Sequence, residues 1–156
     1  MSFAPLPGSV GFGRVGGSPA AARPDDGTAY LQAAFGQSLM FSSVSGSSFD
    51  LLNVDLAEYS TLLPNAVTMH FVGYRHDGSI VTADLTTDGI VDGTGPIADF
   101  QTFAFDQNFR DLDRVEIPNP IWSLDNLVVS TPEPGTWALL ILGGALTGRR
   151  LFKRMS

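Results

Sequence analysis

Val67-Thr68-Met69-His70-Phe71-Val72-Gly73-Tyr74-Arg75-His76-Asp77-Gly78-Ser79-Ile80-Val81-Thr82-Ala83-Asp84-Leu85 is the stretch on which the fold turns. On both sides of His76-Asp77-Gly78 the side chains alternate with a period of two and are rich in β-branched and aromatic types. Asp-Gly between two such runs is a strong hairpin signal, because glycine accepts the positive φ that a tight connection needs. Two antiparallel strands are predicted, Val67 to Tyr74 and Ser79 to Leu85.

The same texture extends outward in both directions. Leu39 to Ser43, Ser48 to Ala57, Phe100 to Phe105, Arg114 to Ile117 and Ile121 to Val129 are further short runs of strand-forming residues separated by turn clusters. In Ser48 to Ala57 the parity changes: Phe49 and Leu51 share one face, while Leu52, Val54 and Leu56 share the other. Either a β-bulge or a strand buried on both sides accounts for this. Asp88-Gly89 and Asp92-Gly93 mark a long irregular loop before Phe100. On the last strand, strict alternation places Trp122, Leu124, Asn126 and Val128 on one face and Ile121, Ser123, Asp125, Leu127 and Val129 on the other, with Trp122 in the core. Seven or eight strands and no convincing soluble helix predict a mainly β fold, an antiparallel β-sandwich over residues 28–131.

Before this body, residues 1–27 are rich in Gly, Pro, Ala and Ser without a sustained period, which predicts a flexible lead. Gly11, Gly13 and Gly16 match G-x-G-x-x-G, but Pro5 and Pro7 precede them and Ser18-Pro19 follows, so the strand and helix of a nucleotide site are not expected.

The 156 residues suit one domain with a real core. Lys and Arg number 9 against 16 Asp and Glu, a net charge of -7, and Cys is absent, which disfavours a nucleic-acid binder, a disulfide scaffold, a zinc finger and a thiol enzyme. That total is uneven. Residues 1–131 hold five basic and 15 acidic side chains, a charge of -10, whereas Arg149, Arg150, Lys153 and Arg154 crowd the end. An acidic body joined to a short basic tail predicts a domain with an attached address or anchor.

Between body and basic cluster lies Thr136-Trp137-Ala138-Leu139-Leu140-Ile141-Leu142-Gly143-Gly144-Ala145-Leu146-Thr147-Gly148, thirteen residues without a charge. As a helix this covers roughly 20 Å, or about 25 Å when Arg149 and Arg150 snorkel and Leu151 and Phe152 are included, against roughly 30 Å of hydrocarbon. A run so short is usually a buried core helix. Here it is apolar all round, terminal, and closed by a basic cluster without acidic relief, which predicts a marginal membrane segment with Trp137 at one interface and the basic end on the cytoplasmic side. Gly144 and Gly148 add a weak small-xxx-small pair.

Pro132-Glu133-Pro134-Gly135 stands immediately before this run, and its prolines hold the chain extended and exposed. Pro132-Glu133-Pro134, the apolar run and the Arg149 to Arg154 cluster, in that order at the C-terminus, resemble the PEP-CTERM sorting signal of Gram-negative bacteria that make exopolysaccharide. The resemblance implies recognition and processing by the membrane enzyme exosortase at Pro132, Glu133 and Pro134. It also implies transient residence in the inner membrane through the short hydrophobic helix Trp137 to Gly148, and delivery to the cell surface or extracellular matrix. An ordinary tail anchor would need the apolar run but not the Pro-Glu-Pro. Export also calls for an N-terminal signal peptide, and Met1 to Gly8 has neither a basic region nor a continuous apolar one. The expectation is a chain whose true beginning lies upstream.

Trp122-Ser123-Leu124-Asp125-Asn126-Leu127-Val128-Val129 running into the Pro-Glu-Pro is similar to the terminal strand of the jelly-roll-type bodies common in this family. In similar carbohydrate-binding jelly rolls an acidic residue on the last strand ligates a structural calcium, which makes Asp125, with Asn126, the metal candidate. A carboxylate on a mostly apolar strand is costly unless exposed or paired. The alternative is a solvated or backbone-capping Asp, and Asp88, Asp92, Asp99, Asp106, Asp111 and Asp113 read as a solvated acidic rim without EF-hand spacing.

No catalytic residue is assigned. His70 and His76 form no metal-binding pattern, no G-x-S-x-G elbow occurs, and of the glutamates Glu58, Glu116 and Glu133 the last belongs to the tail. The function expected is therefore that of a non-enzymatic, exported surface or matrix protein, with exosortase, the membrane and exopolysaccharide as partners and no nucleic acid. Its alternatives are a simple tail-anchored structural protein and a carbohydrate-active enzyme. Tyr30, Tyr59, Tyr74 and Trp122 are the aromatic side chains able to stack on sugar rings.

Overall fold

The hairpin around Asp77 folds as its alternation predicts. A computed structural model of the chain describes residues 1–9, 11–16, 24, 27–33, 37–60, 65–90, 100–118 and 121–131. The strands are β1 (Ser2–Ala4), β2 (Gly13–Gly16), β3 (Ala29–Ala33), β4 (Leu39–Ser42), β5 (Asp50–Ala57), β6 (Thr68–Arg75), β7 (Ile80–Thr86), β8 (Gln101–Ala104), β9 (Leu112–Ile117) and β10 (Trp122–Ser130). β6 and β7 pair without interruption from Thr68–Thr86 to Tyr74–Ile80. Their turn is closed by the Arg75 amide donating to Ser79 O (2.9 Å) and the Gly78 amide donating to Arg75 O (2.9 Å). Gly78 sits at φ 84°, the left-handed position that a three-residue connection requires. Asp77 Oδ1 accepts from both the amide and the hydroxyl of Ser79, at 2.9 and 2.6 Å, which fixes the turn from within.

The strands form two antiparallel five-stranded sheets, ordered β1-β4-β9-β6-β7 and β2-β3-β10-β5-β8. Their facing sides enclose a single core, to which the first sheet contributes Leu39, Phe41, Met69, Phe71, Val115 and Ile117, and the second Leu51, Val54, Leu56, Trp122 and Leu124. The architecture is a β-sandwich, and each expected strand is present to within two residues at either end. Chain continuity joins the layers at one corner. Phe49 exchanges both backbone hydrogen bonds with Leu112 of the first sheet (2.9 and 2.8 Å), and the next residue, Asp50, begins β5 of the second.

Three strands escaped the sequence pattern. β1 and β2 lie in the lead expected to be flexible, and β3 follows directly after it. β1 is a three-residue edge strand paired to β4, and β2 pairs to β3 through Gly13 to Gly16. Neither is long enough to show a period, and both are defined by the backbone ladder of a neighbour.

The parity change in β5 is a bulge. Phe49, Leu51, Val54 and Leu56 are all buried while Leu52 and Asn53 are half-buried, and the register against β10 slips by one residue between Asn53 and Leu51. β10 carries its own bulge, which the alternation did not reveal: Asp125 pairs with Asp55 and Val128 with Asn53, so Asn126 and Leu127 oppose Val54 alone. Asn126 adopts φ 45°, a conformation that Asn tolerates better than most residues. The expected faces of β10 are therefore corrected beyond Asp125. Trp122 and Leu124 point to the core as predicted, but the extra residue turns Leu127 and Val129 inward and leaves Asn126 and Val128 exposed.

Candidate functional site

Asp125 and Asn126 lie on the outer face of the second sheet, where β10 brings Asp125 directly opposite Asp55. Two carboxylates in register repel each other, and the fold offsets this with neutral donors. Asp125 Oδ2 accepts from the Thr28 hydroxyl (2.6 Å) and Oδ1 from the Asn126 amide (2.8 Å). Asp55 Oδ1 accepts from the Thr102 hydroxyl (2.6 Å), and Oδ2 from the Asn126 side-chain amide (2.8 Å). The cluster is a clasp that ties the approach to β3, β10, β5 and β8 together. Sequence reasoning found Asp125 and Asn126 but not Asp55, Thr28 or Thr102, because only the long-range register places those three beside them.

Calcium takes six to eight oxygen ligands. Asp55, Asp125 and the Asn126 side-chain carbonyl are the groups here that could hold it, and among the described residues no set of three or more His, Cys, Asp or Glu is arranged for a metal. The described residues do not complete a calcium shell by themselves, and the hydrogen bonds just named already engage each carboxylate oxygen. Beside the clasp the β3–β10 ladder stops at Leu31–Leu124, and beyond it opens a mainly apolar pocket of about 170 Å³ lined by Phe3, Leu31, Leu124 and Leu127, with Asp125 and Asn126 also in its wall.

A buried polar set adjoins this region at the other end of the sheet. Gln32 Nε2 donates to Tyr59 O (2.9 Å) and to Ser123 Oγ (3.3 Å), Ser123 Oγ donates to Glu58 O (3.2 Å), and Glu58 Oε1 accepts the Gly89 amide (2.9 Å). Glu58 is 3% exposed, and its carboxylate anchors the backbone at Gly89, just after β7.

The solvent face of the first sheet is built differently. Tyr74 on β6 stands opposite Arg114 on β9, whose guanidinium carbon lies 3.6 Å from the ring centroid. Glu116 accepts from the Tyr74 hydroxyl (3.0 Å) and from Arg114 Nε (2.9 Å), and this hydrogen bond to Glu116 is the main cause that raises the Arg114 pKa. Of the aromatic side chains named as sugar platforms, Trp122 (0% exposed) and Tyr30 (2%) are closed off, while Tyr59, beside the Gln32 set, and Tyr74, on the solvent face of the first sheet with Arg114 over its ring, are both half-buried.

Both histidines pair with aspartates. His70 Nδ1 lies 2.5 Å from Asp84 across the β6–β7 ladder. His76 Nδ1 lies 3.0 Å from Asp113, and that hydrogen bond, reinforced by the charges of Asp113 and Asp111, raises its pKa. Of the expected acidic rim, Asp106, Asp111 and Asp113 are exposed or hydrogen-bonded at loop ends, and Asp92 and Asp99 lie outside the described residues.

The sorting motif Pro132, Glu133 and Pro134, the run Trp137 to Leu146 and the basic residues Arg149, Arg150, Lys153 and Arg154 also lie outside the described residues. Among those described, no helix is long and apolar enough to cross a membrane. β10 ends at Ser130, paired with Asp50, and Thr131 is exposed. No family model and no curated protein matches the chain.

Proposed function

We propose that the chain is an exported, non-enzymatic protein of the cell surface or extracellular matrix whose C-terminal segment is a PEP-CTERM signal read and processed by exosortase. The observation that carries this reading is the ordered set of Pro132-Glu133-Pro134, an uncharged run from Thr136 to Gly148 and a basic cluster from Arg149, all within the last 25 residues. Its position supports it. The set begins two residues after Ser130, the last residue of a central strand, so the folded body and the address are adjacent but separate in sequence.

In this reading the run from Trp137 is a short membrane helix that holds the protein in the inner membrane until processing. The body is a jelly-roll-like sandwich that meets exopolysaccharide through the Tyr74, Arg114 and Glu116 face of the first sheet. Arg114 is stacked on the Tyr74 ring, so this face offers a sugar a fixed guanidinium, carboxylate and phenol as hydrogen-bond partners rather than a bare stacking surface. The body's charge of -10 favours a neutral or cationic polymer over an anionic one.

The test is the intact mass of the protein recovered from cells that make exopolysaccharide. A mature form lacking the residues after the Pro-Glu-Pro is expected. A full tail retained in the membrane fraction would replace the reading with that of a simple tail anchor, and glycan turnover by the purified body would replace it with that of an enzyme.

A further inference from the structure

The geometry points to the outer edge of β7, which among the described residues has no neighbouring strand, as a self-pairing surface, on which a second copy of this chain adds its own β7 antiparallel about a two-fold axis at Ala83.

Hydrogen bonds at the two ends of the β6–β7 ladder fix which groups face outward. The Arg75 amide donates to Ser79 O at one end, and the Thr87 amide donates to Val67 O (3.0 Å) at the other, with no slip of register between them. Antiparallel ladders alternate. Ser79, Val81, Ala83, Leu85 and Thr87 therefore turn their backbone groups toward β6, while Ile80, Thr82, Asp84 and Thr86 turn theirs away. Among the described residues no strand lies on that outer side.

Among the described residues β7 is the longest of the sheet edges, at seven residues against three for β1 and four each for β2 and β8. Edge strands are commonly protected by Pro, Lys or a bulge. Ile80 to Thr86 has none of these, and Ile80 at its start is 59% exposed. Its one charge, Asp84, is already held by His70.

The strand is also complementary to itself in one register. Outward-facing groups must meet outward-facing groups, which restricts the two-fold axis to a few positions. An axis at Ala83 pairs Ile80 with Thr86 and Thr82 with Asp84 of the second copy, and engages all seven residues. An axis at Asp84 would set that carboxylate against its own copy, and one at Thr82 would leave Leu85 and Thr86 unpaired. With the axis at Ala83, Val81 meets Leu85 and Ala83 meets Ala83 on the inner face, where all three side chains already border the core. The two first sheets then continue into one. Pairing along a single strand is small beside the roughly 1,200–2,000 Å² of a stable interface, so the association is weak and concentration-dependent.

The chain has no cysteine, so single substitutions report the contact cleanly. Residues facing each other in a non-hydrogen-bonded antiparallel pair lie about 4.5 Å apart at Cα, within disulfide range. The full-length chain in detergent, bearing Ala83→Cys and treated with copper-phenanthroline, is expected to run mostly as a disulfide-linked dimer, while Thr102→Cys on the β8 edge stays mainly monomeric. Adding Thr82→Pro removes an outward N–H without touching the β6 ladder and is expected to abolish the dimer. Mixing Val81→Cys with Leu85→Cys is expected to give the mixed dimer in preference to either homodimer, a readout that needs no proline. Cross-linking of Ala83→Cys no greater than that of Thr102→Cys, its persistence with Thr82→Pro in a folded protein, or failure of the mixed pair would overturn the proposal.

Discussion

The β6–β7 pair at the edge of the first sheet and the β5–β10 pair inside the second take their registers from different sources. β6 and β7 are joined by a three-residue turn and run seven rungs without a slip. β5 and β10 come together from more than 60 residues apart, and their ladder slips twice, once at Asn126-Leu127 and once at Leu52. A local turn sets register through its own geometry. A long-range pair sets it by the need to keep large apolar groups facing inward, and bulges absorb the mismatch. In β10 the bulge keeps Leu127 and Val129 in the core at the expense of exposing Val128.

The largest effects should not distinguish the two pairs, since both lean on one core. Phe71→Ala in β6 and Trp122→Ala in β10 remove side chains that are 0% exposed, and each should cost about 3–5 kcal/mol in urea unfolding. Clearly separate unfolding transitions for the two variants would show that the sheets are not one cooperative unit.

The comparison sharpens at one left-handed position in each region, Asn126 and Gly78. Asn126→Ala loses the bond to Asp55 and forces a less tolerant residue into φ 45°, which should cost about 1–3 kcal/mol, whereas Asn126→Gly should recover the conformational part. At Gly78 an added Cβ meets nothing within 4 Å, so Gly78→Ala should cost about 1–2 kcal/mol from φ alone. Equal losses for Asn126→Ala and Asn126→Gly in thermal melts would mean that the clasp, not the bulge conformation, sets the stability of the β5–β10 pair.

The smallest effect is the pH dependence of the hairpin end. The His76 pKa is raised, so its contribution is complete below the unfolded value of 6.5 and fades as pH rises through the folded value above it. The Asp77 pKa is lowered, chiefly by the Ser79 hydroxyl, so its contribution is complete above 3.8 and fades as pH falls through the folded value below it. Both contributions coexist between pH 3.8 and 6.5. The Tm difference between the wild type and His76→Gln should be greatest in that window and shrink toward alkaline pH, and that between the wild type and Asp77→Asn should shrink only in acid. In the β5–β10 clasp the donors to Asp55 and Asp125 are hydroxyl and amide groups.

The legible parts of the molecule were those in which one strand carries its own pattern. Alternation around Asp77-Gly78 gave the hairpin, and the parity change at Leu51-Leu52 narrowed that strand to a bulge or burial on both sides, between which the register against β10 decides. β1, β2 and β3 were illegible because three to five residues hold no period and their places come from partners: β4 for β1, β3 for β2 and β10 for β3. The β10 bulge was illegible for another reason: Asn126, Leu127 and Val128 fit an unbroken alternation as well as a broken one. Asp125 could be named from its strand, but its partner Asp55 belongs to a register that no local signal contains.

Composition and order along the chain determined the mainly β class, the acidic body and the separate apolar-basic tail, since these depend only on which residues are neighbours in sequence. Tertiary structure decided which aromatic side chains are buried, which carboxylates face each other, and which strands stand at the sheet edges among the described residues. Those outcomes follow from burying one shared core between two sheets, a constraint that acts on residues far apart in the chain and leaves no mark on any single segment.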